Sequence, residues 1–307
     1  PAAWARGYTG KDSVIAIFDT GIDTDHSEFE DSIIEAKCFT SVCERGYGTV
    51  EDGNNVGHGT HVAGIAAANE ALDQNLTVIG IDKTSGGGAT AKSGGVFYAG
   101  GGTPIQQAAG VEDTPENMFN YLIQETGDIV KEETLRKFCE TSAENTQWLM
   151  DNGVQFDPSY YKIKTSYPGA GYFLYHSDNS LVPSYMEKAD PAPRGHRGYE
   201  DGPFRPIGVG GTIFYPLKKS AIAKGLKLFP QTEARSLVIT SEGRVVGLKV
   251  LMLPSGKLAQ QHKVLTSRGE LFQMLLPPSY PGSGFLQKIG NFFIKKAQKI
   301  ENSHKLP

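Results

Sequence analysis

The sequence lacks the features that mark several common classes of protein. Only three of the 307 residues are cysteine, too few for a disulfide framework. Cys38 and Cys43 could pair across a short loop, which would leave Cys139 single. No run approaches the roughly 18 consecutive apolar residues of a membrane-spanning helix, and the stretch after Pro1 has no signal-peptide pattern. We therefore expect a soluble chain without a membrane span, and its compartment stays undecided.

A strong excess of charge of one sign is also absent. The chain has 30 Lys and Arg against 34 Asp and Glu, a formal net charge of −4, so charge gives no reason to expect a nucleic-acid partner. We predict no metal site either. A composition of 39% hydrophobic and 21% charged residues is ordinary for a globular protein, and the length suggests about two domains.

Glycine is the residue type in clear excess. It makes up 37 of 307 residues, about 12%, against a usual share of roughly 7%. Eight glycines lie within residues 86–102, and smaller groups lie at 57–64 and 208–211. Glycine clusters beside helix starts allow the backbone to approach a ligand closely, although irregular surface loops would explain them as well.

Patterns along the first third of the chain predict an α/β fold. Short apolar runs predict buried strands at residues 14–19 (VIAIFD) and 76–82 (LTVIGID), with an Ala-rich helix at 58–72 between them. We expect a mainly parallel sheet with flanking helices, which is a Rossmann-like nucleotide-binding unit. A helical and irregular cap-like insertion is added to it.

The rest of the chain predicts further helices and a group of strands. Residues 112–152 have strong helical propensity, with Thr114 as the cap ahead of a proline. After a segment rich in Pro and Tyr, a helix is expected at 215–224, ended by Gly225. Strands follow in LKLFP, ARSLVIT and RVVGLKV. Residues 285–299 predict an amphipathic basic helix, for which exposure to solvent is favoured over membrane contact.

Two motifs near the N-terminus carry the chemistry of a serine hydrolase. Asp19 ends the first strand in IFDTGID, and His58 begins the next helix in NVGHGTHVAG. A buried carboxylate at a strand end suits the orientation of an imidazole. The string GYTGKDSVIAIFDTGIDTDHSEF, followed by GHGTHVAGIAAAN, resembles the subtilisin-like serine proteases over about residues 4–69. The resemblance implies that Asp19 is the triad aspartate and His58 the general base, acting on a polypeptide substrate.

The nucleophile of that family is not found in the sequence. Subtilisin-like proteases carry a serine in a Gly-Thr-Ser-Met-Ala-type helix start and an asparagine for the oxyanion hole. The nearest approach is Ser283 in PGSG, where we predict a turn instead. Because a triad without its serine has no alcohol to activate, we predict no protease activity.

A second motif begins inside the same helix. The string GIAAANEALDQNLTVIGIDK has the form of a dinucleotide-binding unit. Asp82 lies 18 residues after Gly64, close to the roughly 20 expected for a carboxylate on a ribose hydroxyl. Together with KTSGGGATAKSGGVFYAGGGTPIQQAAG, PAPRGHR and GVGGTIFYPLKKSAIAKGLKLFPQTEARSLVIT, it resembles a flavoprotein superfamily over about residues 64–252. That superfamily contains fumarate reductase, succinate dehydrogenase and 3-ketosteroid dehydrogenase.

The second resemblance implies an FAD cofactor and hydride transfer between the flavin and a carbon–carbon bond next to a carbonyl or carboxylate of a small molecule. Asp82 would bind the adenosine ribose, and Ala234 would lie near the adenine. The whole implied set is Gly64, Asp82, Lys83, Thr90, Ser93, Gly94, Gly95 and Ala234. Candidates for the proton donor or acceptor, each of which a structural role would also explain, are His176, His196, Arg194, Arg197, Tyr160, Tyr161, Tyr172 and Tyr175.

The two resemblances meet at residues 63–69 and suggest a chimera of two incomplete enzymes. Its predicted parts are a subtilisin-like fragment (1–69), an FAD-binding-like unit (64–111 and 207–252), a cap or substrate region (112–206) and a tail with a terminal helix (253–307). The larger coverage favours an FAD-dependent oxidoreductase fragment. A protease fragment without its nucleophile and a non-catalytic fusion remnant are the alternatives.

Overall fold

The structure is a computed structural model that describes residues 58–84, 86–199, 210–239, 241, 245–274 and 281–304. The predicted strand at 14–19, with Asp19, and both Cys38 and Cys43 lie outside these residues. The chain divides into two compact units. The first contains the described residues of 58–78 and 87–226, and the second contains those of 79–86 and 227–304.

Helices and short strands alternate along the described residues, which confirms the mixed α/β class. In chain order they are α1 (His58–Asp73), β1 (Ile79–Asp82), α2 (Gly88–Lys92), β2 (Val96–Tyr98), α3 (Pro104–Ala108), α4 (Pro115–Thr126), α5 (Glu132–Asp151), β3 (Gln155–Phe156), β4 (Tyr160–Tyr161), β5 (Leu174–Tyr175), α6 (Pro183–Met186), β6 (Gly195–Tyr199), α7 (Gly211–Ala223), β7 (Lys227–Pro230), β8 (Thr232–Ile239), β9 (Val245–Met252), α8 (Lys257–Met274) and α9 (Ser283–His304).

In the first unit, α1, α2 and α7 pack against one another. The predicted helix at 58–72 is confirmed as α1, which ends one residue later. The side chain of Asn69 is fully buried, and its Nδ2 donates to the carbonyl of Ile65 (3.0 Å) and to that of Leu217 in α7 (2.9 Å). Because both acceptors are main-chain carbonyls, this one amide fixes the position of α1 against α7.

The helical propensity predicted over 112–152 is confirmed, and the structure divides this stretch into two helices, α4 and α5. The predicted cap is confirmed: the Thr114 side chain accepts the Asn117 N–H at 3.0 Å. Gly127 ends α4 at a φ of +54°, a conformation that few other residues adopt without strain. The two helices enclose a core of Met118, Phe119, Tyr121, Leu122, Leu135, Phe138 and Cys139.

A five-stranded sheet with the order β2-β6-β5-β4 lies in the first unit, and β3 also pairs with β6. The sequence predicts this region only as a segment rich in Pro and Tyr, because strands of two to five residues are too short for a visible alternation. Within the described residues, β1–β7 and β4–β5 are parallel pairs, and the other four pairs are antiparallel.

The second unit combines β1, the strands β7 to β9 and the helices α8 and α9. β1 pairs with β7 in parallel, and β8 pairs with β9 as the antiparallel hairpin that the three strand motifs predict. β1 begins at Ile79, three residues later than predicted. α8 was not predicted, whereas the predicted terminal helix is confirmed as α9 and extends to His304.

Three further boundaries differ from the prediction. α7 begins at Gly211 rather than at Tyr215, because Thr212 and Phe214 are buried in the unit, and Gly225 follows its end at a φ of +109° as expected. Ser283 is the buried first residue of α9, so the predicted turn lies before it. In the described part of the chain, every helix is too short or too polar to cross a membrane.

Candidate functional site

The glycine-rich loop that follows α2 is the centre of the predicted flavin site. Ser93 caps the end of α2 with its N–H on the Thr90 carbonyl (3.2 Å), and its Oγ donates to the same carbonyl (2.9 Å). The N–H of Gly95 donates back to Ser93 Oγ at 3.3 Å, and Gly95 has a φ of +65°. Three residues assigned to the flavin from the sequence are therefore joined in one tight turn.

This loop lies against the start of α7. The N–H of Gly210 donates to the Ser93 carbonyl at 2.9 Å. A Cβ placed on Gly210 would lie 1.8 Å from the Thr90 carbonyl oxygen, so that no side chain can be accommodated there. On the other side, the N–H of Gly198 donates to the Gly95 carbonyl at 3.1 Å. Glycines that are about 100 residues apart in sequence thus form one cradle of small residues, as the clustering suggested.

The Thr90 hydroxyl has no hydrogen-bond partner within the described structure. The residue is only 6% exposed, and its Oγ1 is a buried atom without a donor or acceptor nearby. An unpaired buried hydroxyl costs free energy that a hydrogen-bonding ligand would recover. The residues present at the predicted flavin position therefore fit a polar cofactor, with Thr90 free to bind it and small residues around it.

A cation lies next to the exposed end of the loop. Gly94 is exposed, and its carbonyl accepts the Tyr167 hydroxyl at 2.9 Å. The Arg197 guanidinium lies 4.1 Å from the centre of the Tyr167 ring, and its Nη1 donates to the carbonyls of Pro168, Gly169 and Tyr172. These contacts fix Arg197 in place, while its buried Nε has no hydrogen-bond partner among the described residues. Of the polar candidates in the sequence, Arg197 is the one that the structure brings next to the loop.

The remaining residues of the implied FAD set in the second unit lie on or after strands. Asp82 ends β1, and its Oδ1 accepts the N–H of Thr84 (2.6 Å), the Thr84 hydroxyl (2.8 Å) and the N–H of Gly86 (3.2 Å). This carboxylate thus organises the loop that follows its strand. Lys83 is exposed and lies 3.8 Å from Glu233, and Ala234 is exposed on β8.

Two further predicted residues lie on α1. His58 is its first residue, as expected for a histidine at a helix start. Gly64 is exposed, and a Cβ there would meet no atom within 4 Å. Close packing does not require glycine at this position, because the described residues leave the space beside Gly64 open. Its role toward the cofactor stays a prediction.

A buried ion pair that the sequence does not reveal lies beside the sheet. Arg194 is fully buried, and its Nε and Nη2 donate to the two oxygens of Asp113 at 3.0 and 2.9 Å. Burial raises the pKa of Asp113, but hydrogen bonds and charge from Arg194 outweigh it, so the pKa is lowered overall. Asp178 lies 3.7 Å from Arg194 Nη1 and accepts the Tyr98 hydroxyl at 2.8 Å.

The two candidate histidines are buried and hydrogen-bonded. Burial lowers the pKa of His196 to about 4; its Nε2 lies 2.9 Å from the Thr103 hydroxyl, and its Nδ1 lies 3.1 Å from the Arg194 carbonyl. Burial also lowers the pKa of His176, whose Nε2 lies 2.6 Å from the Tyr160 hydroxyl. A neutral His196 with a carbonyl at Nδ1 carries its proton there, so Nε2 accepts from Thr103. Both histidines therefore have the contacts of structural residues. Tyr160, the partner of His176, differs from them because it is only half-buried.

A pre-shaped, glycine-lined cradle with an unpaired hydroxyl, within a mixed α/β fold, is typical of a nucleotide-cofactor protein. Comparison with known families defines the class: the chain belongs to the FAD binding domain family, which matches residues 56–277. The match confirms the FAD cofactor and places the chain among FAD-binding oxidoreductases.

The individual relatives agree with this class. The chain is 38% identical over 208 residues to a 3-oxo-5-alpha-steroid 4-dehydrogenase of Comamonas testosteroni; the match includes 66% of this chain and 38% of that protein. It is also similar to the crystal structure of a 3-ketosteroid-delta4-(5alpha)-dehydrogenase from Rhodococcus jostii in complex with 4-androstene-3,17-dione. The TM-score is 0.57 at 29% identity, covering 77% of this chain and 51% of that one. The chain therefore spans about half or less of the length of these relatives.

The protease resemblance is confirmed over a short segment. The chain is 44% identical over 71 residues to the major intracellular serine protease of Bacillus subtilis, which is 23% of this chain and 22% of that protein. Similarity to proteins of both kinds is thus present in one sequence, and the FAD binding domain family matches the larger part.

Proposed function

We propose that this chain is the FAD-binding portion of an oxidoreductase that acts on a 3-oxo steroid or a similar flat, apolar ketone. When bound, FAD exchanges a hydride with a carbon–carbon bond next to the carbonyl of the substrate. The substrate class is carried over from the names of the two dehydrogenases to which the chain is similar. The observation that carries the cofactor part is the unpaired, buried Thr90 hydroxyl in the glycine cradle.

The residues of the first unit have separable roles in this proposal. Thr90 donates or accepts one hydrogen bond at the cofactor. The tight turn from Ser93 to Gly95, which has little side-chain bulk, allows its main chain to approach the cofactor closely. Gly210 keeps the cradle narrow, because any side chain would push the Thr90 carbonyl away. Arg197, held on Tyr167 and Phe173, contributes a fixed positive charge at the exposed end. The roles of Gly64, Asp82, Lys83 and Ala234 toward FAD are further proposals that rest on the resemblance.

For the proton that accompanies hydride transfer, we propose Tyr160 as the donor or acceptor. Its hydroxyl is 2.6 Å from His176 Nε2, and His176 Nδ1 is 3.3 Å from Ser180 Oγ. Ser180 Oγ in turn donates to Asp178 at 2.7 Å. This chain of hydrogen bonds leads from a half-buried phenol to a buried carboxylate, so a proton at Tyr160 has a path into the protein.

The cofactor proposal is tested by titrating FAD into the purified chain and following the quenching of flavin fluorescence. The variant Thr90→Val keeps the shape of the side chain and removes the hydroxyl. We expect its Kd for FAD to rise about 5–10-fold, the effect of one hydrogen bond. The stability of the cofactor-free chain should not fall, because the hydroxyl that is removed has no partner in it.

Thr126→Val is the matched control, since its buried hydroxyl donates to the Leu122 carbonyl at 3.0 Å in α4. We expect this variant to bind FAD like the wild type. Equal affinities for Thr90→Val and the wild type would contradict the cradle, and a wild-type chain that does not bind FAD would contradict the proposed function.

We also propose that the protease-like segment has no peptidase activity. The one serine in a related context, Ser283, is the buried first residue of a helix. A fluorogenic peptide assay on the chain and on His58→Ala should give the same background rate. Hydrolysis that disappears in His58→Ala would reveal a nucleophile that the sequence does not indicate.

A further inference from the structure

The helix α9 has one face that packs in the second unit and one that does not. Its buried residues are Ser283, Gly290 and Ala297, which are seven residues apart and therefore lie on one side of the helix. Gly290 contacts α8 so closely that a Cβ there would lie 2.7 Å from the Gly269 carbonyl oxygen. Glu301 lies on the same side, with its carboxylate 2.6 Å from Nε2 of the buried His262.

The opposite side, called here the outer face of α9, is exposed and combines two phenylalanines with four lysines. Phe285 is 68% exposed and Phe292 is 54% exposed, which is unusual for such large apolar side chains. The complete face, whose members recur every three to four residues and are all exposed, is Phe285, Lys288, Phe292, Lys295, Lys296 and Lys299.

No acidic side chain interrupts this face. The single acidic residue of α9 is Glu301, which contacts His262 on the buried side. The ammonium of Lys296 lies 4.5 Å over the Phe292 ring, so charge and apolar surface are in direct contact. Ion pairs within the helix therefore do not neutralise the lysines of the outer face.

The charge of the two terminal helices is opposite to that of the whole chain. α8 and α9 together contain seven Lys and Arg and two Glu, a net charge of +5. Because the chain carries −4, all other residues together carry −9. A basic pair of helices in an otherwise acidic chain favours an anionic partner surface.

We propose that the outer face of α9 binds the surface of a membrane that contains anionic lipids, with the helix lying in the plane of the interface. Phe285 and Phe292 would enter the boundary between head groups and acyl chains, and the four lysines would bind the lipid phosphates. A protein partner is less well matched, because lysine is depleted at the centre of protein interfaces. A nucleic acid is less well matched because its charged backbone offers no apolar region that Phe285 and Phe292 could enter.

The experiment measures flotation of the full chain with vesicles of phosphatidylcholine alone and of phosphatidylcholine with one quarter phosphatidylglycerol. We expect binding to the anionic vesicles and little to the neutral ones, with a marked loss in 0.5 M NaCl. Lys295→Gln with Lys296→Gln should weaken binding about 30-fold, since each lysine near an anionic surface contributes roughly a factor of five. Phe285→Ser with Phe292→Ser should weaken it about tenfold or more.

Matched controls come from exposed residues of the first unit. Lys162→Gln with Lys188→Gln changes the net charge equally, and Ile163→Ser removes a side chain that is 65% exposed. Both should float like the wild type, and circular dichroism should show that every variant is folded. Equal flotation with neutral and anionic vesicles, a lysine pair that behaves like its control, or tighter binding to a short DNA duplex than to the anionic vesicles would overturn the proposal. The test does not depend on FAD.

Discussion

Replacing Asp113 by asparagine should remove the strongest polar contact of the first unit. The carboxylate accepts five hydrogen bonds: from Arg194 Nε (3.0 Å) and Nη2 (2.9 Å), from the Gly101 N–H (3.0 Å), from Gln106 Nε2 (3.2 Å) and from Asn117 Nδ2 (2.8 Å). An amide of the same shape would direct two N–H groups at some of these donors. The guanidinium of Arg194, which is fully buried, would then be left with the more distant Asp178, 3.7 Å from its Nη1, as counter-ion.

The expected loss in the free energy of unfolding is about 3 kcal/mol, the lower end of the range for breaking one side of a buried pair, because Asp178 still compensates part of the Arg194 charge. In urea, with a slope of about 2–3 kcal/mol per molar, this moves the unfolding midpoint by roughly 1–1.5 M. Far-UV circular dichroism, recorded along a urea titration at pH 7, measures this shift in the midpoint. Asp128→Asn, an exposed residue, is the control and should change stability by less than about 0.5 kcal/mol.

The double variant Asp113→Asn with Arg194→Met should recover part of the stability, since it removes both charges of this pair and leaves Asp178 with its hydrogen bonds from Tyr98 and Ser180. The pKa of Asp113 is lower in the folded chain than in the unfolded one. The stability that the Asp113 carboxylate contributes is therefore complete above a pH of about 4 and is lost as the pH falls through the folded pKa. The difference in the free energy of unfolding between the wild type and Asp113→Asn should become smaller over that acidic range. If Asp113→Asn costs no more than Asp128→Asn, the pair does not stabilise the fold and the reasoning fails.

Three other predictions concern histidine and glycine. The pKa of His196, about 4 in the fold, lies below the unfolded value of about 6.5. The stability that the neutral His196 contributes is thus complete above pH 6.5 and should fall by roughly 3 kcal/mol as the pH drops to 4. Thermal melts of His196→Gln over the same pH range should lack this part of the pH dependence. Gly210→Ala should destabilise the chain by about 1–3 kcal/mol in urea melts through its clash with Thr90, whereas Gly169→Ala, with no atom within 4 Å, should not. Gly64→Ala should stabilise α1 by about 1 kcal/mol and weaken FAD binding; unchanged FAD affinity would remove Gly64 from the cofactor set.

Local signals in the sequence predicted local structure well. The start of α1 at His58, the Thr114 cap, Gly225 after α7 and the hairpin of β8 with β9 each depend on residues within a few positions of one another. The break between α4 and α5 was not predicted, because helical propensity over 112–152 indicates that helices form there but not where one ends and the next begins. α8 was missed because it is held mainly by close contact with α9, including that between Gly269 and Gly290.

The candidate site was predictable as a set of residues but not as a geometry. The resemblance placed Thr90 to Gly95 at the flavin, and the structure adds that Gly210 closes on Thr90 from more than 100 residues away. Asp113 carried no signal, because its partner Arg194 lies 81 residues later in the chain. The sequence indicates which histidines and arginines could act in a site, but their burial and their hydrogen-bond partners depend on the fold.

The pairing of β1 with β7 has a consequence for the order in which the protein is made. β1 ends at Asp82, and its partner begins at Lys227, 145 residues later. At a synthesis rate of about 5–20 residues per second, β1 leaves the ribosome some 7–30 s before β7 exists. During that time Ile79 and its neighbours are a strand without a partner, open to chaperones or to pairing with another nascent chain. A rearranged chain in which residues 79–86 are moved to directly before residue 227 would remove this delay.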